Sequence, residues 1–584
     1  SLNNLALIYD QQNLYGEAER YYLRALSILE KTLGSEHRHL SQNLINLAAL
    51  YQRQGLFEKA EPLILEGLKI QLNLIKRETP FLVLSDRNYF LKSLGRNYEV
   101  AFSYAFVRKS GQKLALFSRL NRQGLLEEIE KRQAQLSALQ GPHQGLAQEL
   151  RGVTQQLALK NLNDQQRKNL SARKEELERN LYRLLPELKQ SIVEVNQVAQ
   201  SIPRDGVLVE FQKYQPFDAT KLDGEVWQEA RYLALILRPN AQIESIDLGL
   251  AQPIEQKIQQ ALLASEQGLA DAQILWEDVS GLVVKPLKEA IVGAETLFIS
   301  PDEELNRIPF AALSSPQGDE LLGEAINIRL LTTGRELLDL AKASKATKQK
   351  PLVIANPAFD LIKTYSPEKI SDLIAGNTSQ QRSGDLASFN WSPLPGTAKE
   401  GKEIAQLTKA QLLTKNKATA LAVQEQHEAP KVLHIASHAY FLPDQETGEN
   451  PLLRSGIVLA GANEPESNPN DDGYLTALEV TKLDWQGTEM VVISGCESGK
   501  GDIQSGEGVY GLKRAIAVAG ARSSLLSLWK VDDRATASFM TSFYKKLKDG
   551  EGRADALAAT QREFRNHSIA AYRHPYYWAA FQLS

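Results

Sequence analysis

The feature that most constrains the fold of this chain is a series of short apolar runs, each bounded by Gly, Pro, Asp or Asn. The runs lie at 207–211, 232–237, 296–300, 352–355, 432–437, 457–460, 490–494 and 523–531. Stretches with a helical period separate most of them, at 254–265, 398–409, 508–519 and 533–548. Such alternation is typical of a mostly parallel sheet covered by helices on both faces. We therefore predict an α/β domain over residues 201–584.

Two of these runs deliver reactive side chains at their C-terminal ends. One run is followed directly by His438, and another leads through Gly495 to Cys496, the single cysteine of the chain. The carboxyl ends of parallel strands meet at one edge of an open sheet, so a thiol and an imidazole placed there can meet in a crevice. An imidazole beside a thiol favours the thiolate or takes its proton, which predicts a cysteine nucleophile with its base. The alternative for Cys496 is a small, buried apolar residue.

The N-terminus contains an internal repeat. Asn4-Leu-Ala-Leu-Ile-Tyr9 returns as Asn46-Leu-Ala-Ala-Leu-Tyr51, and Tyr15 returns as Phe57. The unit is longer than the common one of about 34 residues and resembles tetratricopeptide repeats of the kinesin-light-chain type. We assign residues 1–75 to a truncated array and expect repeats upstream, because a stable stack needs roughly three. Its groove is predicted to bind a protein or peptide partner, with support of the next domain as the alternative.

Residues 76–200 are predicted to form a helical, coiled-coil-like connector. Leucines recur at three- and four-residue steps with Glu and Lys between them, in 125–132 and 165–189. Such a pattern favours a helical hairpin, which we expect to be broken at Gly141-Pro142. A solvated spacer and a partner-binding arm are both compatible with it.

The balance of charge argues against some classes of partner. A net charge of −4, from 67 basic and 71 acidic residues, disfavours a nucleic-acid or anionic-membrane partner. No apolar stretch approaches the roughly 18 residues of a membrane span, and no leader peptide opens the chain. One cysteine allows no internal disulfide. We expect a cytoplasmic protein that needs no cofactor.

His434 precedes His438 by four residues, so on a strand both would lie on the same face. Two histidines at this spacing on a helix would suggest a metal site, but these lie on a predicted strand. We therefore predict no catalytic metal and a structural role for His434, with orientation of the site as the alternative.

A set of motifs beyond the two reactive residues carries a resemblance to a known family. They are His-Ile-Ala-Ser-His-Ala at 434–439, Ile-Ser-Gly-Cys-Glu-Ser-Gly at 493–499, Gly-Glu-Gly-Val-Tyr-Gly-Leu at 506–512, Ala-Gly-Ala-Arg at 519–522, Ser-Leu-Trp-Lys-Val-Asp-Asp at 527–533 and His-Pro-Tyr-Tyr-Trp-Ala-Ala-Phe at 574–581, with upstream segments at 300–313 and 394–400. In number and order they resemble the CHAT domain, a caspase-like, separase-related group of cysteine peptidases often fused to tetratricopeptide repeats. The resemblance covers 201–584 and is most specific over 296–584.

The resemblance implies a catalytic dyad of His438 and Cys496. It also implies that the backbone N–H groups of Cys496 and Ala439 bind the oxyanion. Many family members have Gly after the catalytic His, and Ala439 would be strained if the backbone there required a positive φ.

Acidic residues near the site are candidates for substrate binding. Asp532 and Asp533 look similar to the acidic stretch of the separase strand whose pocket accepts a basic residue, and a buried carboxylate there would pair with Arg or Lys. The alternative is capping of the helix predicted over 533–548. Glu497 and Glu507 are further candidates.

Together these features predict a regulated Cys–His endopeptidase that hydrolyses peptide bonds in protein substrates, after a basic residue. The repeats would supply partner recognition or control. The alternative is a catalytically silent interaction scaffold. Self-cleavage within the long polar loops 360–395 or 461–473 is compatible with the first hypothesis.

Overall fold

The computed structural model describes most of the chain. The described residues are 2–79, 82, 84–137, 143–157, 164–184, 192–221, 226–318, 320–340, 347–360, 386, 389–426, 428–443, 451–467, 471–495, 498–504 and 508–584. They divide into two compact units. The first comprises Ser1–Pro253, Ile299–Asp302 and Thr332–Ala341, and the second comprises Ile254–Phe298, Glu303–Leu331 and Lys342–Ser584.

The first unit begins with two helical hairpins, as the repeat predicts. They are formed by α1 Leu2–Gln11 with α2 Tyr15–Leu33 and by α3 Arg38–Arg53 with α4 Phe57–Glu78. Both hairpins turn through a left-handed residue at equivalent positions, Asn13 and Gly55. The alanines where the helices cross are fully buried, which allows close approach. Tyr22 and Ile64 belong to the same buried cluster.

The connector consists of helices joined by short turns in the part that the structure describes. Its helices are α5 Leu84–Ser93, α6 Val100–Val107, α7 Gln112–Arg122, α8 Leu125–Ser137, α9 Gln144–Leu157, α10 Asp164–Leu184 and α11 Val195–Ser201. Helices α9 and α10 form a hairpin, held by a small core of leucines and one valine at Leu150, Val153, Leu177 and Leu181. The predicted break at Gly141-Pro142 lies outside the described residues.

An antiparallel set of strands follows the connector. It contains β1 Gly206–Tyr214, β2 Arg231–Leu237 and β3 Ile243–Leu250, with β2 between its neighbours. Placing the runs at 207–211 and 232–237 in a parallel sheet was therefore wrong. Short connections allow antiparallel hairpins, whereas parallel neighbours need a crossover of a dozen or more residues, and only five residues separate β2 from β3.

A buried charge network holds the first unit together around Arg119 of α7. Its guanidinium contacts Glu210 of β1 at 2.9 Å and Asp302 at 3.3 Å. It also donates to the Ser300 hydroxyl and to the Pro301 carbonyl, both at 3.0 Å. All three charged side chains are at most 1% exposed. Because the cation meets two carboxylates and further acceptors, its burial is compensated.

Most of the remaining helices and strands belong to the second unit. The exceptions, one helix and two elements that cross the division, are given after the two lists that follow. The helices are α12 Ala251–Glu266, α13 Ala272–Val283, α14 Lys288–Ile291, α15 Leu322–Ala325, α16 Leu337–Leu340, α17 Pro395–Thr408, α18 Ala420–Gln424, α19 Ala477–Val480, α20 Leu512–Ala519, α21 Asp533–Lys548 and α22 Arg553–Arg565. The strands are β4 Thr296–Ser300, β5 Asn327–Leu330, β6 Leu352–Pro357, β7 Gln411–Lys415, β8 Val432–Ala436, β9 Ala439–Phe441, β10 Ser455–Val458, β11 Tyr474–Thr476, β12 Met490–Ile493, β13 Gly501–Gln504, β14 Gly508–Gly511, β15 Ser524–Ser527 and β16 Phe581–Leu583. Helix α16 lies in the first unit, and α12 and β4 cross the division.

The main sheet of this unit has six strands in the order β16-β15-β12-β8-β6-β7. Every pair is parallel except the edge pair of β15 and β16. All four residues of β12 are buried, and successive side chains point to opposite faces, so both faces are covered. Helix α17 packs against β6, where Gly401 brings the backbones close: a Cβ there would lie 2.3 Å from the Ala355 Cβ. The predicted parallel α/β architecture is confirmed for this sheet.

Three sequence assignments in this unit were wrong. The run at 296–300 forms β4, which is not one of the six strands of the main sheet. The run at 457–460 overlaps β10, which lies in a small antiparallel sheet between β9 and β11 rather than in the main sheet. The helix predicted over 508–519 begins only at Leu512, because residues 508–511 form β14 of a hairpin with β13. The glycines that bound this strand, Gly508 and Gly511, are poor helix formers, which accounts for the later start. None of the described helices is both long and apolar enough to cross a membrane.

Candidate active site

The candidate site lies where the neighbouring strands β8 and β12 end. Their register pairs Ile435 with Ile493, and the Ser494 N–H donates to the Ile435 carbonyl at 3.1 Å. The chain continues for three residues from Ile435 to His438, and for three residues from Ile493 to Cys496. The two sequence segments that carry the predicted dyad therefore leave the sheet side by side, at the same edge.

Gly495 is the point of closest approach between these two segments. A Cβ at this position would lie 2.4 Å from the Ser437 carbonyl oxygen and 2.9 Å from the Ala439 nitrogen. Both atoms belong to the backbone, which cannot give way as a flexible side chain would. Only glycine fits here, and it brings the residue before Cys496 against the residues on both sides of His438.

Cys496 and Glu497 lie outside the described residues, but the chain on both sides of them is anchored to β15. The Ser527 hydroxyl donates to the Gly495 carbonyl at 2.6 Å, and the Ser527 N–H donates to the Ser498 hydroxyl at 3.0 Å. The Gly499 N–H donates to the Ser527 carbonyl at 2.7 Å. One residue of β15 thus fixes the segment before the cysteine and the segment after Glu497.

The His438 imidazole packs against two aromatic rings. The ring centroids of Phe359 and Trp391 are each 5.2 Å from its own centroid. Its Nε2 is 2.8 Å from the main-chain carbonyl oxygen of Ser392. A carbonyl can only accept, so Nε2 carries the hydrogen and Nδ1 of the neutral ring keeps its lone pair. The imidazole is therefore oriented with a single basic nitrogen available.

The surroundings of His438 favour the neutral imidazole. Burial lowers its pKa below the usual value of 6.5, and the positive charge of Lys530 acts in the same direction. The hydrogen bond to Ser392 and the negative charge of Asp533 oppose these effects without overcoming them. At neutral pH the ring is consequently unprotonated and able to accept a proton.

Ala439 begins β9, and its backbone N–H points away from β10. The Val458 N–H donates to the His438 carbonyl at 2.9 Å, which makes residues 438 and 458 a hydrogen-bonded pair. In an antiparallel pair the N–H of the next residue faces away from the partner strand, and the Ala439 nitrogen lies close to Gly495. Ala439 is not among the residues of positive φ in the described part of the chain. Alanine therefore causes no backbone strain at this position.

The two aspartates after β15 both have structural partners. An oxygen of Asp532 accepts the Ala535 N–H at 2.8 Å and caps α21, as the capping alternative predicts. Asp533 accepts the Gly396 N–H at 2.5 Å, and burial raises its pKa. A substrate-binding role for them stays a prediction, and the other acidic candidates, Glu497 and Glu507, lie outside the described residues.

His434 has the structural role predicted for it. The side chain is fully buried, with Nε2 2.9 Å from a Glu400 oxygen and Nδ1 3.3 Å from the Tyr544 hydroxyl. It connects β8 to α17 and α21, on which these partners lie. In the part of the chain that the structure describes, no three His, Cys, Asp or Glu side chains are grouped to hold a metal ion.

The sequence analysis did not identify the residues that hold the imidazole. Trp391 and Ser392 lie in the polar stretch 360–395, and Phe359 lies just before it. Aromatic side chains within and just before a long polar loop were the available signal, since loops often carry functional residues.

Comparison with known proteins agrees with this architecture. The CHAT domain model matches residues 273–584, and a tetratricopeptide repeat model matches residues 1–73. Tetratricopeptide repeat protein 28 of Homo sapiens is 27% identical over 308 residues, which are 49% of this chain and 12% of that protein. The Mus musculus protein of the same name is 25% identical over 301 residues, 48% of this chain and 12% of that protein. The chain thus spans a small part of these relatives.

Solved structures with a detectable likeness include two of the separase–securin complex of Saccharomyces cerevisiae. Both have 10% sequence identity, cover 100% of this chain and 46% of that chain, and give TM-scores of 0.35 and 0.42. The CHAT model alone accounts for more than half of the residues. The chain belongs to the CHAT-domain family and carries tetratricopeptide repeats at its N-terminus.

Proposed function

We propose that this chain is a regulated endopeptidase in which Cys496 is the nucleophile and His438 is its base. The observation that carries the proposal is the environment of His438, whose Nε2 is held by the Ser392 carbonyl while Nδ1 is left to accept a proton. Because Gly495 packs against Ser437 and Ala439, the chain leading to the thiol starts beside the imidazole. The equal spacing of His438 and Cys496 from a paired strand position supports the same pairing.

The proposed reaction follows from these groups. Nδ1 of His438 takes the thiol proton as sulfur attacks the carbonyl carbon of the scissile peptide bond. The N–H groups of Ala439 and Cys496 stabilise the oxyanion that forms. When the carbon–nitrogen bond breaks, His438 returns its proton to the leaving amine and leaves a thioester. Water, deprotonated by the same imidazole, then hydrolyses the thioester and frees the enzyme.

We further propose cleavage after Arg or Lys. The support is the pair of adjacent carboxylates at Asp532 and Asp533. The negative charge of Asp533 interacts with the His438 imidazole. Asp532 uses one oxygen for the helix cap, so its other oxygen remains for a cationic side chain. The repeats are proposed to bind a protein partner that controls the peptidase, and a reducing compartment such as the cytoplasm would keep the thiol active.

The test uses the single cysteine. Peptidyl acyloxymethyl ketones with Arg, Leu or Asp next to the reactive group would be incubated with the full chain, with Cys496→Ala and with His438→Ala. We expect an adduct on the wild type alone, fastest with Arg, and cleavage of Arg and Lys reporter peptides by the wild type alone. A thiol no more reactive than that of the unfolded chain would overturn the dyad and favour the scaffold. Equal labelling by all three probes would overturn only the specificity.

A further inference from the structure

Asn463 hydrogen-bonds to both chain segments that enclose the His438 imidazole. Its backbone N–H donates to the Phe359 carbonyl at 3.1 Å. Its side-chain oxygen accepts the Trp391 N–H at 2.8 Å, and its side-chain nitrogen donates to the Trp391 carbonyl at 3.0 Å. Asn463 therefore hydrogen-bonds to both chain segments whose aromatic rings pack against the imidazole.

Two further contacts stiffen this arrangement. The amide nitrogen of Asn463 also donates to an Asp360 oxygen at 3.0 Å. The Trp391 indole N–H donates to the Tyr474 hydroxyl at 2.9 Å, which connects Trp391 to β11. Trp391 is thus held at its backbone and at its ring. The carbonyl that receives the His438 hydrogen belongs to the next residue, Ser392.

We propose that Asn463 is a positioning residue for the catalytic base. Its carboxamide fixes the backbone of Trp391, which places the Ser392 carbonyl and thereby sets the tautomer and the direction of the His438 ring. This inference rests on the function proposed above, since it assigns Asn463 a part in preparing the base of that reaction. Asn463 has no described contact with the imidazole, so it acts through Trp391 and Ser392.

The chemistry of the carboxamide explains why asparagine is needed. The position requires one acceptor for the Trp391 N–H together with donors for the Trp391 and Asp360 oxygens, and only an amide side chain of this length supplies both. Aspartate keeps the acceptor but has no donor, and it places a negative charge beside two oxygens. Alanine removes both interactions and leaves only the backbone bond to Phe359.

The experiment compares Asn463→Ala and Asn463→Asp with the wild type. Asn566→Ala is the matched control, because the Asn566 side chain is exposed and makes one local bond, to the Arg562 carbonyl. The first readout is the pH titration of tryptophan fluorescence, since a protonated imidazole in contact with an indole quenches it. The part due to Trp391 is obtained by subtracting the same titration of Trp391→Phe. The second readout is cleavage of an Arg reporter peptide, resolved into kcat and KM.

We expect both Asn463 variants to shift the quenching midpoint to higher pH, because a loosened Trp391 admits water to the imidazole and relieves the burial that lowers its pKa. Loss of the Ser392 hydrogen bond, which raises the pKa, acts in the opposite direction but is the smaller of the two effects. We expect kcat/KM to fall about 100-fold, mainly through kcat, since a misplaced base loses that much from a shift of about 1 Å. Asn566→Ala should match the wild type in both readouts. Because Asn463→Asp preserves shape and the Trp391 N–H bond, it remains informative if the alanine variant fails to fold.

The two proposals fail in different ways. A wild-type midpoint and a wild-type rate in both Asn463 variants would overturn the role of Asn463 and leave the peptidase intact. An inert thiol in the wild type would overturn the peptidase, while the midpoints would still decide whether Asn463 orients the imidazole.

Discussion

The Nε2 atom of His438 donates its hydrogen to the main-chain carbonyl of Ser392 across 2.8 Å. A backbone acceptor cannot be deleted by a side-chain substitution, so the tautomer of the imidazole depends on where this segment lies and not on the identity of residue 392. The exposed side chain of Ser392 has no part in the interaction.

The first prediction concerns the titration of His438. Its pKa is lowered in the folded chain, so the Trp391 quenching midpoint of the wild type should lie below 6.5. The unfolded chain binds this proton at higher pH than the folded chain does. The free energy of unfolding should therefore fall as pH decreases through 6.5 towards the folded pKa, and His438→Phe should remove that part of the pH dependence. A midpoint at or above 6.5 would contradict the burial of the ring.

The second prediction concerns Gly495. Substitution by alanine forces a Cβ to within 2.4 Å of the Ser437 oxygen, and the strands must separate. We expect a loss of about 1–3 kcal/mol of stability and a slower reaction of Cys496 with iodoacetamide. Gly281→Ala is the control, because a Cβ there meets nothing within 4 Å. In its helix that change should stabilise by about 0.5–1 kcal/mol and leave the thiol unaffected. Similar melting temperatures for the two variants would refute the close approach.

The third prediction separates two roles of Asp532. Asparagine caps a helix as well as aspartate does, whereas alanine costs about 1 kcal/mol. If the charge also recognises Arg and Lys, Asp532→Asn should retain thermal stability yet lose the preference for the Arg probe. Asp532→Ala should lose both. An Arg preference that survives the asparagine substitution would restrict Asp532 to capping.

The fourth prediction concerns the buried network of the first unit. Arg119→Met leaves Glu210 and Asp302 without their cation in a site closed to water, which should cost about 3–5 kcal/mol of unfolding free energy. Arg20→Met is the matched comparison, since Arg20 pairs with Glu17 at the surface. That change should leave the denaturant midpoint of the wild type unaltered. Equal midpoints for the two variants would show that the network contributes nothing.

The main sheet could be predicted because its signal is local. Strands buried on both faces are apolar along most of their length, as at β8 and β12, and helix α21, which follows β15, was predicted with its observed bounds, 533–548. Direction was harder to predict. The runs at 207–211, 232–237 and 457–460 are mostly apolar, as are those of the parallel strands, and their residue types do not reveal the direction in which they pair.

The candidate site was predicted in part for the same reason. His438 follows an apolar strand and could be singled out, whereas its carbonyl acceptor at Ser392 is backbone and leaves no trace in residue type. Asn463 stands far from Trp391 along the chain, and only folding brings their hydrogen-bonding groups together. The capping role of Asp532 was foreseen as an alternative because it depends on a residue only three positions further along the chain, Ala535.

The burial of His434 within β8, four residues before the half-exposed His438, has a consequence for mutational scanning. Changes at His434 leave the buried Glu400 carboxylate without its imidazole partner. They should therefore lower the amount of protein in cells through misfolding. Changes at His438 should leave abundance intact and abolish only the proposed peptidase activity. Variants of these two histidines would then differ in phenotype: one set would lose abundance and the other would lose activity. A screen that scores growth alone would not distinguish them.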